Sequence, residues 1–238
     1  MHGKISTYDN KKGEGRVQAD DGHIYWFNND CIARQEDCDY LMMDVEVEFE
    51  VGLKQVKDRK TNQMVEKQAA LELTVLNPQS LDEHNIFYSE PSSFLYEKED
   101  LVEGFDVLDR GLYSLSRSDR TEEKARYRLT RDCLEYGANS LVSYKVDVKL
   151  KNAFGNGYNI YTVSGVPVIL GRRDNNGDLR SSDLKNRLDQ TKIKKAHEIL
   201  VNTRIGKMVI KGLAAFMLII FALGFFLTGG IYPYVEGQ

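Results

Sequence analysis

Cysteine and histidine are scarce in this 238-residue chain, and their placement excludes two kinds of site. The three cysteines, Cys31, Cys38 and Cys133, are odd in number, and no two form a CxxC pair. This argues against a disulfide framework and a zinc site, and it favours a reducing compartment. The four histidines make no metal-ligand spacing with each other or with a cysteine. We therefore predict no metal site and no cofactor.

The motifs of the common enzyme classes are missing as well. The sequence has no Ser-His-Asp or Cys-His arrangement, no phosphate-binding loop and no paired carboxylates in a supporting context. The glycine-rich residues 155–157 predict a hairpin tip rather than a dinucleotide loop, because no helix follows them. The sequence therefore predicts a protein that is not an enzyme.

Charge is absent between Gly212 and Val235. The hydrocarbon core of a bilayer needs roughly 20 apolar residues of helix, and soluble helices of that length almost always show a polar face. We therefore expect a single transmembrane helix over residues 208–232. Eight basic and three acidic residues lie between Asp183 and Lys211, and no Lys or Arg follows them. The positive-inside bias, together with an N-terminus lacking an apolar signal region, then keeps the N-terminal domains in the cytoplasm.

Residues 174–207 predict a basic amphipathic juxtamembrane helix. Apolar residues from Leu184 to Ile205 form a loose stripe, and a basic face suits anionic headgroups, at ~1 kcal/mol per Lys or Arg near the surface. An equally good alternative is that the stripe packs on the helix of a neighbouring subunit. The candidate membrane-surface residues are Lys192, Lys194, Lys195, Arg204, Lys207 and Lys211.

Short β-type runs alternate with turn residues over residues 1–77. The Asp9-Asn10 and Asp21-Gly22 pairs are hairpin signals, and residues 45–51 alternate apolar side chains with glutamate, which is the period of a half-buried strand. Five short strands in this length predict a small closed barrel.

The same segment resembles a cold-shock domain, a five-stranded barrel of the OB type. Residues 12–17 (Lys-Gly-Glu-Gly-Arg-Val) stand at the position of the family's first ribonucleoprotein motif, and residues 25–28 (Tyr-Trp-Phe-Asn) at the second. The resemblance implies binding of single strands by stacking of bases on aromatic rings, each worth ~1–3 kcal/mol. Trp26 keeps a stacking plane and Tyr8 offers a second, whereas Glu14 replaces an aromatic residue with a charge that repels phosphate.

Candidate nucleic-acid-binding residues follow from these positions and from a basic cluster in an expected loop. They are Tyr8, Lys12, Arg16, Trp26, Lys54, Lys57, Arg59 and Lys60. Residues 1–77 carry ten basic and fifteen acidic side chains, which is a poor balance for nucleic acid. Reuse of the barrel as a protein-binding scaffold is the alternative, since fold alone does not determine function.

The segment 105–173 predicts one helix and three strands. Thr121 followed by two glutamates suits a helix N-terminus, and Gly137 suits the residue that ends the helix. Strands are expected over residues 105–115, 141–146 and 160–170. The segment resembles the small bacterial YbjQ-like family in residues 137–142 (Gly-Ala-Asn-Ser-Leu-Val) and 164–168 (Ser-Gly-Val-Pro-Val). That resemblance implies a ring-shaped homo-oligomer assembled through this segment. With a bacterial family, the membrane expected from the apolar tail is the bacterial inner (plasma) membrane.

Together these segments predict a multi-domain chain. It has a small all-β five-stranded OB-type barrel (1–77), a linker (78–104), an α+β (βαββ) sandwich (105–173), the juxtamembrane helix (174–207) and a single transmembrane helix (208–232). The predicted function is weak binding of single-stranded RNA or DNA by a membrane-anchored, cytoplasmic-facing protein. The alternative is a membrane-tethered oligomeric scaffold or sensor whose barrel binds protein.

Overall fold

The computed structural model describes residues 1–57, 63–78, 86–153, 156–174 and 177–203. Their strands are β1 (His2–Asp9), β2 (Glu14–Ala19), β3 (Ile24–Asn28), β4 (Glu46–Lys57), β5 (Met64–Val75), β6 (Phe87–Ser89), β7 (Leu95–Tyr96), β8 (Asp106–Arg110), β9 (Leu115–Asp119), β10 (Ser140–Ala153), β11 (Asn156–Arg173) and β12 (Leu179–Arg180). The helices are α1 (Glu122–Glu135), α2 (Ser181–Leu184) and α3 (190–203), with 3₁₀ turns at Asn29–Cys31 and Gln35–Tyr40. All these strands lie in the first of the two compact units into which the chain divides, Met1–Lys194.

Strands β1 to β5 pair in a closed ring. β2 joins β1 and β3, β5 joins β3 in parallel through Trp26 and Ala69, and β4 joins β5 and returns to β1. Alternate side chains such as Val17, Phe27 and Phe49 are buried inside the ring. The residues between them face outward, because successive side chains of a strand point to opposite faces.

The second half of the sheet is arranged around β11. The long hairpin partner β10 lies on one side of β11, and β8 and β9 pair with it on the other. Helix α1 packs on β9 and β11 and buries Leu129 and Cys133. The predicted helix termini are confirmed: the Thr121 side chain accepts a hydrogen bond from the Lys124 backbone N–H, and Gly137 follows the helix with a φ of 89°.

One parallel pairing, between Asp9 in β1 and Val107 in β8, joins the ring to the second half. The predicted fold class, in which a barrel and an α+β (βαββ) sandwich are separate domains, is therefore wrong. The described residues form one mixed sheet of twelve strands with few helices. Period-two patterns predict strands but not their partners, and buried polar contacts bring β1 to β8 here.

The predicted membrane span at 208–232 lies outside the described residues. Among the residues that are described, no helix has the length and apolar character needed to cross a bilayer.

Two further segments differ from the sequence-based expectation. The predicted linker 78–104 contributes β6 and β7, and its Tyr96 ring contacts that of Tyr144 in β10. The predicted basic helix over 174–207 is interrupted between α2 and α3. The Leu188 N–H there donates to Asp109 at 2.9 Å, and Asn186 has a φ of 64°. Residues 185–189 are therefore not helical, although the apolar stripe had predicted continuous helix there.

Candidate functional site

A cavity of about 870 Å³ lies between the ring and the second half of the sheet, within the unit Met1–Lys194. The first wall comes from the ring, at residues 11–16 and at Trp26, Val56 and Lys67. The second wall comes from residues 98–101 after β7, from the end of β8 and from β10 and β11. The cavity therefore depends on the junction of the two halves.

Trp26 forms the apolar part of the first wall. It lies directly opposite Arg16 in the β2–β3 ladder, and both side chains are half-buried. Their neighbours Val17, Tyr25 and Phe27 fill the ring interior, so the strand alternation turns Trp26 and Arg16 toward the cavity. A ring and a guanidinium group thus share one face of two adjacent strands.

The second wall is fastened to the first by Asp100. The Lys12 Nζ lies 2.5 Å from its carboxylate, Ser143 Oγ donates to it, and Arg110 Nη1 lies 3.8 Å away. Burial alone would raise the pKa of Asp100, but the hydrogen bonds from Lys12 and Ser143 and the charges of Lys12 and Arg110 lower the pKa to about 2. Asp100 is therefore a fixed carboxylate at neutral pH.

The cavity is basic in an otherwise acidic chain. Seven basic side chains line it against three acidic ones, whereas the whole chain has a formal charge of −4. The basic residues are Lys11, Lys12, Arg16, Lys67, Lys98, Arg110 and Lys145. Of these, Lys67, Lys98 and Lys145 are exposed and have no carboxylate partner among the described residues. The excess of positive over negative charge favours anions over cations at this cavity.

Glu99 lies at the cavity rim and forms an ion pair with Arg16. Its side chain is 65% exposed, and that of Arg16 is 30% exposed. Glu99 follows β7 in the second wall, so this pair also crosses between the walls. Glu99 is therefore bound to the first wall while most of its side chain is in contact with water, whereas Asp100 is half-buried.

Beneath the cavity, three buried charged residues form the junction: Asp9, Asp106 and Arg110. Arg110 Nε donates to Asp9 Oδ2 at 2.7 Å, and the two side chains are 8% and 0% exposed. Asp106 accepts from the backbone N–H groups of Tyr8 and Met43 at 2.9 and 2.8 Å. Burial outweighs these hydrogen bonds and raises the pKa of Asp106 to about 7.

The structure brings three of the predicted nucleic-acid-binding residues together and separates two others from them. Lys12, Arg16 and Trp26 line the cavity. Tyr8 is 3% exposed, with its ring parallel to that of Phe27 and its hydroxyl donating to Asn29, so its ring offers no face to a base. The Lys54 ammonium group donates to Asn28 Oδ1 at 2.9 Å, away from the cavity lining.

Several predicted positions lie outside the described residues. Among the nucleic-acid candidates these are Arg59, Lys60 and the side chain of Lys57, and among the membrane-surface candidates Arg204, Lys207 and Lys211. Lys192, Lys194 and Lys195 lie exposed on α3. The Lys192 Nζ is 3.7 Å from Glu135, so one of these charges is partly balanced within the protein.

Sequence reasoning missed the lysines that complete the cavity. Lys67, Lys98 and Lys145 come from three distant segments and match no motif, and each has an acidic residue within two positions in sequence. Only the pairing of β5 with β3 and the position of β10 assemble them around Trp26. No local signal could have identified them.

Metal chemistry has no evident ligand set in the part of the chain that the structure describes, where no three His, Cys, Asp or Glu side chains are grouped to hold an ion. Comparison of the chain with family models, with curated proteins and with solved structures found no match.

Proposed function

We propose that the protein binds single-stranded nucleic acid, RNA or DNA, weakly and without catalysis, in the cavity between its two walls. The observation that carries this proposal is that the only tryptophan of the chain, Trp26, faces a cavity with seven basic side chains. Aromatic rings beside cations are the usual means of holding single strands, because every base has a π-face and every linkage a negative charge. The resemblance of residues 1–77 to cold-shock domains supports the same function.

The arrangement also supports weak rather than tight binding. If a base of the ligand stacked on Trp26, the phosphates next to that base would lie near the positive charges of Lys67, Lys98 and Lys145. Glu14 and Glu99 lie in the same cavity, and their charges oppose those phosphates. One aromatic platform contributes ~1–3 kcal/mol per stacked base, which is little beside a multi-ring surface.

Membrane attachment and self-association belong to this proposal. The uncharged residues 212–235 and the preceding basic stretch support placement at a bacterial inner membrane with the cavity on the cytoplasmic side. Exposed apolar side chains on the hairpin strand β10, Val148 at 53% and Leu150 at 69%, support a homo-oligomer formed through residues 105–173.

The test is a titration of a fluorescently labelled single-stranded oligonucleotide with the full-length chain in an uncharged detergent. We expect the affinity to fall as salt is raised, with a slope of about −0.7 per phosphate contact. Trp26→Ala should weaken binding by roughly five- to a hundredfold, the loss of one stacked base. Absence of binding at low salt would contradict the proposal.

The matched control is Tyr127→Ala. Tyr127 is an exposed aromatic residue on α1 and does not line the cavity, so its loss should leave the affinity unchanged. Binding that is indifferent to Trp26→Ala, or equally sensitive to both substitutions, would favour the alternative in which the ring of β1–β5 serves as a scaffold or sensor for protein partners.

A further inference from the structure

Two carboxylates of the second wall engage cations of the first, and they do so differently. Asp100 is half-buried and is held by Lys12, Ser143 and Arg110 together. Glu99 is mostly exposed and is held by Arg16. Asp100 therefore belongs to the framework, whereas Glu99 can leave Arg16 by a change of rotamer into water.

Arg16 is the basic residue that pairs with Trp26 across the two strands. It stands directly opposite Trp26 on the adjacent strand, where side chains of one face lie about 4.5–5.5 Å apart at Cβ. The carboxylate of Glu99 therefore occupies a guanidinium group that shares one strand face with the stacking ring. Carboxylate and phosphate bind the guanidinium group with the same fork of N–H donors.

We propose that Glu99 is an internal competitor: its carboxylate competes with a phosphate of the ligand for Arg16. When the ligand binds, its phosphate displaces Glu99 from Arg16. The inference rests on the proposed function and names its regulation: a charged backbone must displace Glu99 before Arg16 can bind it, so Glu99 lowers the affinity for charged single strands. A phosphodiester compensates for the lost ion pair, because it offers Arg16 an equivalent charge. A base without a charged backbone offers Arg16 nothing in exchange.

The experiment compares Glu99→Gln with Glu103→Gln in the full-length chain. Both remove one negative charge from the same segment, but Glu103 is exposed and lies outside the cavity. Glu99→Gln should strengthen binding of a single-stranded oligonucleotide by about two- to fivefold at low salt, the range of an exposed ion pair. The gain should shrink as added salt screens the pair, and Glu103→Gln should stay within twofold of the wild type.

Two further arms identify the cause. In an Arg16→Ala background, Glu99→Gln should change the affinity no more than the control Glu103→Gln does, since the competition needs both partners. An oligonucleotide with an uncharged methylphosphonate backbone should bind wild type and Glu99→Gln equally. A gain that persists in the Arg16→Ala background would overturn the inference, because it would reflect charge alone.

The outcomes separate this inference from the proposed function. If the wild type binds through Trp26 but Glu99→Gln has the same affinity, the internal competitor is refuted and the function stands. If neither protein binds the oligonucleotide at low salt, the proposed function fails and the inference fails with it.

Discussion

The junction and the cavity rim each join the two halves of the protein by an arginine–carboxylate pair. In the junction, Arg110 and Asp9 are almost fully buried, whereas at the rim Arg16 and Glu99 are 30% and 65% exposed. The chemical groups are the same, and only their contact with water differs. The comparison teaches that burial decides which pair maintains the fold and which is free to exchange its partner.

The free energies lost when the two kinds of pair are broken differ in size. Removing one member of a buried pair leaves an uncompensated charge and costs about 3–5 kcal/mol. An exposed pair is worth about 0–1 kcal/mol, because water and salt replace the lost partner. A ligand of modest affinity can therefore open the rim but not the junction.

The largest expected effect is on stability, and it comes from the junction. Arg110→Met should lower the free energy of unfolding by about 3–5 kcal/mol, since Asp9 would remain buried without a counter-charge. The measurement is urea denaturation of the full-length chain. Arg16→Met, the matched change at the rim, should cost less than about 1 kcal/mol. Equal losses for the two variants would contradict the comparison.

The second effect tests the role of burial through the pH dependence of the free energy of unfolding. Burial raises the pKa of Asp106 from 3.8 to about 7, so between these values the folded protein keeps a proton that the unfolded chain has lost. The free energy of unfolding should therefore fall by roughly 3 kcal/mol as pH rises from about 4 to 7 and level off above that. Asp106→Asn should flatten this decline in urea titrations.

The control for this experiment is Asp147→Asn, which removes an exposed carboxylate from β10. It should retain the full decline of the wild type between pH 4 and 7. A pH profile of Asp106→Asn that runs parallel to that of the wild type over this window would show that Asp106 is ionised at the same pH in both states.

The smallest expected effect concerns an unpaired charge of the cavity. Lys145→Ala should reduce the steepness of the salt dependence of oligonucleotide binding by about 0.7, one phosphate contact, and weaken binding a few-fold at low salt. Lys149→Ala is the matched control, because Lys149 is exposed on the same strand but does not line the cavity. Equal changes for the two lysines would show that the hairpin acts by general charge alone.

Local elements of this fold are predictable from sequence because their causes are local. The alternation appears as buried and exposed positions over residues 45–50, although Val51 is exposed, and Thr121 and Gly137 mark the ends of α1. The joining of the two halves is not local: Tyr8 and Asp106 are 98 positions apart and meet through a hydrogen bond of one buried carboxylate. No periodicity reports such a contact.

The same distinction applies to the candidate site. Lys12, Arg16 and Trp26 lie within two short motifs on adjacent strands, so their common face could be predicted. Tyr8 belongs to the same motif region, but packing against Phe27 and the hydrogen bond to Asn29 bury it. Lys98 and Lys145 reach the cavity only because the second half folds back on the ring, which depends on the whole sheet.

The single parallel pairing of β1 with β8 has a consequence for anyone who would divide this protein. A fragment ending near residue 78 would carry Asp9 without Arg110, and its tryptophan would stand on an open surface lacking the opposite wall. The two halves are therefore not interchangeable parts that could be shuffled, swapped or expressed alone. They form a single structural unit, and a redesign of either half must take account of the other.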